Sequence, residues 1–347
     1  MSTEPEPTVA DRSPAAYRWG AIGPAHVTPW SRLTNLLAEA DQTEEFCAPE
    51  DLAEELQESG VSPELDLWSV WKGEEMVGFG QLRVADRLDS DGRVRIFLGG
   101  GVHPQHRDRG IGRALMDRLE QRGAELAAER HPGVPAYWRA DGGLEGASAR
   151  RLLEHRGYRI VRYFNQMTRH LPGARVAVAT DGVELRAPEQ EMESALREAH
   201  NLAFADHWGS TAQSEEGWHD HWTARSNRFA VSTVALDATG GPLAYVLCGE
   251  WVPRELYVNL VGTVPEARGR GLARACLART IDVAGASGDY DVVDLHVDSA
   301  SPTGATRLYE AVGFALKKTF ATYQRDVGAG QTRCGCEAGP PTRTVET

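Results

Sequence analysis

A short basic segment with two glycines is the part of the sequence best suited to binding an anion. It reads Arg268-Gly-Arg-Gly-Leu-Ala273, follows an apolar strand candidate and opens a helix candidate. Glycines leave main-chain N–H groups uncovered and a helix N-terminus carries partial positive charge, so such a loop can hold phosphate oxygens. The two arginines add positive charge at the same rim. The segment therefore predicts a site for a diphosphate.

Two common diphosphate motifs do not fit this segment. A P-loop needs Gly-x4-Gly-Lys-Ser/Thr, and a dinucleotide fold needs Gly-x-Gly-x-x-Gly after its first strand. The pattern Arg-x-x-Gly-x-Gly/Ala does occur, and it occurs twice, since Arg107-Asp-Arg-Gly-Ile-Gly112 repeats it in the first half. Each copy follows an apolar strand candidate that ends at a proline, Pro104 or Pro265. Two copies in the same context are much more specific than one.

The elements around the two loops repeat as well. Arg150-Arg-Leu-Leu-Glu-His-Arg-Gly-Tyr158 matches Thr306-Arg-Leu-Tyr-Glu-Ala-Val-Gly-Phe314, and in both a short helix candidate ends at a glycine before an aromatic residue. A repeat of about 155–160 residues is too long for a solenoid and indicates domain duplication. We predict a flexible N-terminus over 1–14, domains over 15–172 and 180–327, and a disordered tail over 328–347.

Alternating patterns define the other elements of each half. They predict helices at Trp30–Ala40 and Gln190–Ala203, and strands at Leu67–Trp71, Met76–Val84, Ala230–Leu236 and Leu243–Glu250. Helices that alternate with strands and hairpins predict an α/β (α+β) fold, in which a mixed, mostly antiparallel sheet is flanked by helices.

Composition and charge limit the classes of function. The 347 residues are 41% hydrophobic with a formal charge of −13, which is typical of a soluble protein and argues against general binding of nucleic acid. No apolar run of about 18 residues could span a membrane, and residues 1–10 lack the apolar core of a secretory signal. We expect a cytoplasmic monomer or homodimer with no nucleic-acid or membrane partner. Five scattered cysteines do not describe a disulfide framework.

These motifs resemble those of the GCN5-related N-acetyltransferase (GNAT) superfamily. The resemblance covers 95–115 and 136–160 in the first half, and 255–280 and 292–315 in the second. It implies two tandem GNAT-type domains, acetyl-CoA as the acyl donor and a primary amine as the acceptor. The tandem layout is similar to that of two-domain members of the superfamily.

The resemblance also implies which residues bind the coenzyme. A strand offers main-chain groups to the pantetheine, and the glycine loop binds the pyrophosphate through backbone amides. In the second half these positions are Val261, Thr263, Arg268, Gly269, Arg270, Gly271, Leu272 and Ala273. In the first half they are Val102, Arg107, Asp108, Arg109, Gly110, Ile111 and Gly112.

Acetyl transfer needs a base for the amine and benefits from an acid for the thiolate. By resemblance, Tyr309 is the acid. Leu153 stands at the matching position of the first half and cannot donate a proton, so we expect that half to be catalytically degenerate. Glu255 opens the coenzyme strand and is the candidate base, acting directly or through water. Glu250 and Asp294 are alternatives, whereas His296 between apolar neighbours is expected to pack.

Two segments rich in aromatic residues and histidine follow the first helix of the second half. They read Phe204-Ala-Asp-His-Trp-Gly209 and Gly217-Trp-His-Asp-His-Trp222. In the family this region walls the acceptor pocket, so His207, Trp208 and Trp218 are candidates for acceptor binding, with packing and a metal site as alternatives. The two histidines of the second segment lie two residues apart and would diverge on a helix, so no metal site is predicted.

The sequence thus predicts an enzyme that moves an acetyl group from acetyl-CoA to a primary amine of a small molecule, by direct transfer in a ternary complex. Two alternatives stay open. One is a non-catalytic acyl-CoA-binding or regulatory module, since one half has no candidate acid. The other is a protein-lysine acetyltransferase, because the acidic chain suits a basic protein partner.

Overall fold

The computed structural model describes residues 17–173, 182–205, 207–301 and 304–328. Its strands form one 12-stranded sheet with helices on its faces, and the predicted α/β (α+β) class is confirmed. The predicted termini, 1–14 and 328–347, fall outside the described residues except for Gly328. Within the described ranges, none of the helices has the length and apolarity needed to cross a membrane.

The first half of the chain contributes six strands and five helices to the described structure. They are β1 (Arg18–Ala21), α1 (Val27–Ala40), α2 (Pro49–Glu55), α3 (Pro63–Asp66), β2 (Leu67–Lys72), β3 (Glu75–Val84), β4 (Val94–Val102), α4 (Ile111–Arg130), β5 (Ala136–Asp141), α5 (Ser148–His155) and β6 (Arg159–His170).

The second half repeats this order with one helix fewer. Its elements are β7 (Glu184–Arg186), α6 (Glu193–Phe204), α7 (Glu215–Thr223), β8 (Thr233–Leu236), β9 (Pro242–Gly249), β10 (Glu255–Thr263), α8 (Leu272–Ser287), β11 (Val292–Asp298), α9 (Ala305–Ala311) and β12 (Ala315–Asp326).

In each half the helix that follows the glycine loop connects two parallel strands, as such pairs require. Here α4 joins β4 to β5 and α8 joins β10 to β11. Gly78 and Gly80 of β3 face α4, whereas Phe79 between them packs on Trp30 of α1. Because side chains alternate along a strand, α1 and α4 cover opposite faces of the sheet.

The last strand of each half lies beside the sheet of the other half. The order is β1-β2-β3-β4-β5-β12-β6-β11-β10-β9-β8-β7, so β12 pairs with β5 and β6 pairs with β11. The cores follow this exchange. Ala321 and Tyr323 of β12 are buried in the first half, and Met167 of β6 is buried in the second. The boundaries 15–172 and 180–327 stay a prediction along the chain, and the sheet crosses them.

Candidate active site

The glycine loop of the second half has the conformation that an anion-binding turn requires. Gly269 and Gly271 have φ of +78° and +77°, a region that favours glycine. Gly271 is also the N-cap of α8, so the main-chain amides that follow lie at the positive end of a 16-residue helix. Arg268 ties the loop to α6 by donating a hydrogen bond to the Ala203 carbonyl at 3.0 Å. The loop therefore fits a diphosphate.

The strand before this loop separates from its parallel neighbour. Within the described residues, β10 and β11 pair over Glu255–Tyr257 and Val292–Asp294 and no further. A register shift between Val258 and Leu260 marks a bulge against β9, and bulges bend a strand and interrupt its pairing. The edge of β10 over 258–263 is therefore available to a ligand. Val261 and Thr263, predicted to contact the pantetheine, lie on this edge.

Tyr309 lies on α9 in the core of the second half. It is 7% exposed and packs edge-on against Phe314 with ring centroids 6.0 Å apart. Burial raises the pKa of Tyr309 to about 12, so the phenol keeps its proton at neutral pH.

Glu255 lines a cavity of ≈ 300 Å³ together with Tyr257 and His296. The Tyr257 hydroxyl and His296 Nδ1 are 3.0 Å apart. Burial, and then the charge of Asp294, raises the pKa of Glu255. Asp294 is fully buried and accepts a hydrogen bond from Gln166 of β6 at 2.9 Å. The structure thus brings Glu255 together with Asp294 and His296.

The third carboxylate candidate, Glu250, does not line this cavity. It is bound instead by Arg228, whose Nε lies 2.9 Å from Glu250 Oε2. An ion-paired carboxylate outside the cavity is a poor base for an acceptor bound inside it.

Part of the cavity wall comes from the first half of the chain. The segment 43–47, between α1 and α2, lines the cavity together with Glu255. Glu44 of this segment forms ion pairs with Lys317 and Lys318 of β12 at 2.6 and 2.7 Å. Gln42 and Glu44 have φ of +55° and +64°, uncommon values for residues other than glycine. The sequence analysis did not identify this wall.

The complete lining combines both halves of the chain and is rich in carboxylates and rings. It consists of Trp30, Thr34, Thr43, Glu44, Glu45, Phe46, Cys47, Leu52, Glu55, Phe79, Gln81, Gln166, Trp251, Val252, Glu255, Tyr257 and His296.

The three candidates for acceptor binding lie elsewhere. Trp208 is sandwiched between Arg139 and Arg162, each guanidinium carbon 4.8 Å from a ring centroid, and His207 is its neighbour. Trp218 is 1% exposed and packs on Trp222 in the core of the second half. These side chains do not line the cavity. The assignment of His207, Trp208 and Trp218 to the acceptor therefore stays a prediction, and it concerns a region apart from the cavity at Glu255.

The loop of the first half has a similar backbone and different partners. Gly110 has φ of +82° and is the N-cap of α4, and Asp108 has φ of +58°. Arg107 forms a bidentate ion pair with Asp41 at 2.8 and 2.6 Å. This loop also has amides at a helix N-terminus, and its first arginine is already held by a carboxylate.

Comparison with known proteins agrees with these features. The sequence profile described as "Acetyltransferase (GNAT) family" matches residues 30–158 and 193–314. The chain is similar to a mycothiol acetyltransferase of Salinispora arenicola, with 32% identity over 239 residues that cover 65% of this chain and 71% of that protein. The corresponding enzyme of Streptomyces avermitilis is 30% identical over 267 residues, or 73% and 78% of the two chains.

Solved structures support the same fold. A GCN5-related N-acetyltransferase from Sphaerobacter thermophilus has a TM-score of 0.70 at 24% identity and covers 93% of this chain and 98% of its own. A tandem GNAT protein from the clavulanic acid biosynthesis pathway has a TM-score of 0.64 at 16% identity, with coverage of 90% and 99%. Together with the two profile matches, these likenesses confirm the family and the tandem layout predicted from the sequence. The chain belongs to the acetyltransferase (GNAT) family and is an acetyl-CoA-dependent N-acetyltransferase with two family regions in tandem.

Proposed function

We propose that the second half of the chain transfers the acetyl group of acetyl-CoA to a primary amine of a small molecule bound in the cavity at Glu255. The position of Glu255 carries this proposal. It begins β10, lines the cavity and lies two residues before the end of the ladder between β10 and β11. An amine in the cavity and a thioester along the open edge of β10 would meet beside this carboxylate.

Glu255 acts as the base in this proposal. An alkyl ammonium has a pKa near 10 and must lose its proton before it can attack. Burial and the nearby Asp294 raise the pKa of Glu255, which makes its carboxylate a stronger proton acceptor. A base works best when its pKa approaches the working pH, and the shift is in that direction.

Tyr309 acts as the acid. The amine nitrogen forms a bond to the acetyl carbon, the bond from that carbon to sulfur breaks, and the phenol proton passes to the departing thiolate. The proton that the acylated nitrogen then releases restores the phenol. Burial raises the pKa of Tyr309 to about 12, so the phenol holds its proton until the thiolate develops. Leu153 offers no such proton in the first half, and we assign the chemistry to the second half.

The coenzyme is held by the loop and strand that fit it. In this proposal the pyrophosphate lies on the backbone amides of Arg268–Ala273, and Val261 and Thr263 offer main-chain groups to the pantetheine. Holding both substrates in one geometry supplies a large part of the rate in transfers of this kind. Val102 and the loop Arg107–Gly112 remain a predicted second coenzyme site.

A small acceptor fits the size of the cavity. Its volume is ≈ 300 Å³ and residues 43–47 form part of its lining, which favours a free small amine over a lysine on a folded protein. The relatives named mycothiol acetyltransferase carry a small molecule in their name, and this supports the same class here.

The test is release of free thiol from acetyl-CoA in the presence of a panel of small amines, with lysine peptides in parallel. We expect turnover with small amines and an acetylated product by mass spectrometry. Calorimetry of acetyl-CoA binding to the same protein separates the outcomes. Binding without turnover on any amine would support an acyl-CoA-binding module instead, and turnover confined to the peptides would support a lysine acetyltransferase.

A further inference from the structure

The cavity at Glu255 has the lining of a site for cations. Four glutamates line it, and among the described lining residues there is neither a lysine nor an arginine. The rings that face it belong to Trp30, Phe46, Phe79, Trp251, Tyr257 and His296. The negative charge of a carboxylate attracts an ammonium group, and the face of an aromatic ring attracts it further.

The cations near the cavity are already engaged. Lys317 and Lys318 pair with Glu44 at 2.6 and 2.7 Å, and Lys317 Nζ also lies 3.6 Å from Asp294. Arg83 lies closer to Glu58, at 2.7 Å, than to Glu55, at 3.4 Å. This arrangement leaves negative charge in the cavity.

The negative charge is divided between two sources. Glu255 comes from β10 of the second half, and Glu45 of the segment 43–47 lines the same cavity. Glu55 is the last residue of α2 in the first half. It has its own carboxylate neighbours, Asp51 and Glu58.

Glu55 is also largely withdrawn from solvent and lies beside other carboxylates. Burial, followed by the charge of Glu58, raises the pKa of Glu55 to about 7 even though Arg83 opposes the shift. A carboxylate with a raised pKa gains from an incoming cation. Gln81 and Gln166, which also line the cavity, each have a buried Oε1 without a hydrogen-bond partner among the described residues. Both atoms accept hydrogen bonds and suit a ligand rich in N–H groups.

We propose that the acceptor is a short diamine or triamine, whose reacting amine lies at Glu255 and whose second, cationic amine is held at Glu55. This inference rests on the proposed function and names its substrate class. At about 30 Å³ for each water-sized group, the space of ≈ 300 Å³ holds roughly ten non-hydrogen atoms, which suits an acceptor of this size. An acetylated nitrogen carries no charge and cannot take the place of the cationic amine at Glu55. The product is therefore monoacetylated.

The test compares α,ω-diamines of three to six carbons with n-alkylamines of the same length, by thiol release from acetyl-CoA. A hydrogen bond to a charged group contributes about 1.5–3 kcal/mol, so the wild-type protein should prefer diamines by about 10–100-fold in kcat/KM. Glu55→Gln should remove that preference and leave the monoamine values within about twofold, because Glu55 touches only the second amine. Glu55→Asp, which keeps the charge, should retain part of it.

Glu58→Gln is the matched control. Glu58 shares Arg83 with Glu55 and lies outside the cavity, so this variant should keep the wild-type preference. Equal use of diamines and monoamines by the wild type would overturn the inference and leave the proposed function intact, as would an equal loss for both amine classes in Glu55→Gln. If no amine of either class were acetylated while acetyl-CoA still bound, the proposed function would fail, and the inference with it.

Discussion

The strand before the glycine loop differs between the two halves of the chain. In the second half, β10 carries a bulge and pairs with β11 over Glu255–Tyr257. In the first half, β4 pairs regularly with β3 and stays paired with β5 over Val94–Leu98. A Cβ at Gly101 of β4 would lie 2.4 Å from Leu37, and one at Gly262 of β10 would lie 2.3 Å from Tyr245. The same order of elements therefore gives a longer unpaired edge in β10, over 258–263, than in β4, over 99–102.

The side chains that could do chemistry differ in the same way. Leu153 stands where the second half has Tyr309, and β4 contains no carboxylate, whereas β10 begins with Glu255. Arg93, the residue before β4, is engaged by Asp326 at 3.4 Å and lies over the ring of Tyr137. An arginine beside a carboxylate cannot act as a base near neutral pH, because it stays protonated.

The segments that cross between the halves complete the contrast. In the first half, residues 43–47 follow the first helix and line the cavity at Glu255. In the second half, Trp208 follows the first helix and packs between Arg139 and Arg162 of the first half, and the Gly209 carbonyl accepts a hydrogen bond from Arg95. One crossing segment leaves room for a ligand and the other fills the space with a ring. This contrast supports the proposal that the second half holds the chemistry and the first half supports it.

The largest expected effect comes from removing the base. Glu255→Gln should lower kcat by about 10²–10⁴-fold, the usual contribution of general base catalysis, with little change in coenzyme binding. Since the base must be ionised, activity should fall as pH drops through the raised pKa of Glu255, and the acid limb of the pH–rate profile should vanish in the variant. Arg93→Gln, just before β4 in the first half, should leave kcat unchanged, and an equal loss there would break the comparison.

Removing the acid should have the next largest effect. Tyr309→Phe keeps the ring contact with Phe314 and loses the phenol proton, so kcat should fall by about 10²-fold while calorimetry still shows acetyl-CoA binding. Because burial raises the pKa of Tyr309 to about 12, the wild-type rate should show no decline from this group up to about pH 10. Leu153→Met is the matched control, since a swap of similar volume is usually tolerated. Wild-type turnover in Tyr309→Phe would remove this residue from the mechanism.

The glycine loops offer a paired test of which coenzyme site serves catalysis. Gly271→Ala places a side chain at φ +77°, which costs about 1–2 kcal/mol, and adds a methyl group to the rim of the anion site. We expect KM for acetyl-CoA to rise about 10-fold. Gly110→Ala, at φ +82° in the first half, should lower stability by a similar amount and leave kinetics unchanged. A loss of activity in Gly110→Ala, together with unchanged activity in Gly271→Ala, would reverse the assignment of the halves.

Much of the fold could be predicted because its signals are local. The loop Arg268–Ala273, its copy and the helices after them follow from residues adjacent in sequence, and the helix predicted at Trp30–Ala40 differs from α1 only at its start. The cavity could not be predicted, since its walls meet across the halves. Gln166 reaches Asp294 because β6 pairs with β11, and strand pairing between distant segments leaves no local pattern.

The tryptophans show that local composition does not predict which aromatic residues line the cavity. Trp208 and Trp218 stood out because aromatic residues and histidines cluster around them, yet packing occupies both. Trp251 lies between β9 and β10 in an unremarkable sequence, and it lines the cavity and contacts Tyr257 edge-on at 5.7 Å. Whether an aromatic side chain contacts a ligand depends on its position in the folded chain. That position is set by how all the strands of the sheet pair.

The smallest expected effect distinguishes a tryptophan that packs, Trp208, from one that lines the cavity, Trp251. Trp208→Ala removes two ring–guanidinium contacts, each worth about 0.5–1 kcal/mol, so chemical denaturation should show a loss of about 1–2 kcal/mol in the free energy of unfolding. Both KM values and kcat should stay as in the wild type, because the ring packs against Arg139 and Arg162 of the first half and does not line the cavity. Trp251→Ala should do the reverse, raising KM for the amine several-fold with little loss of stability. A raised amine KM in Trp208→Ala would show that this residue contributes to acceptor binding. The contrast between a crossing segment that leaves room for a ligand and one that fills the space with a ring would then no longer hold.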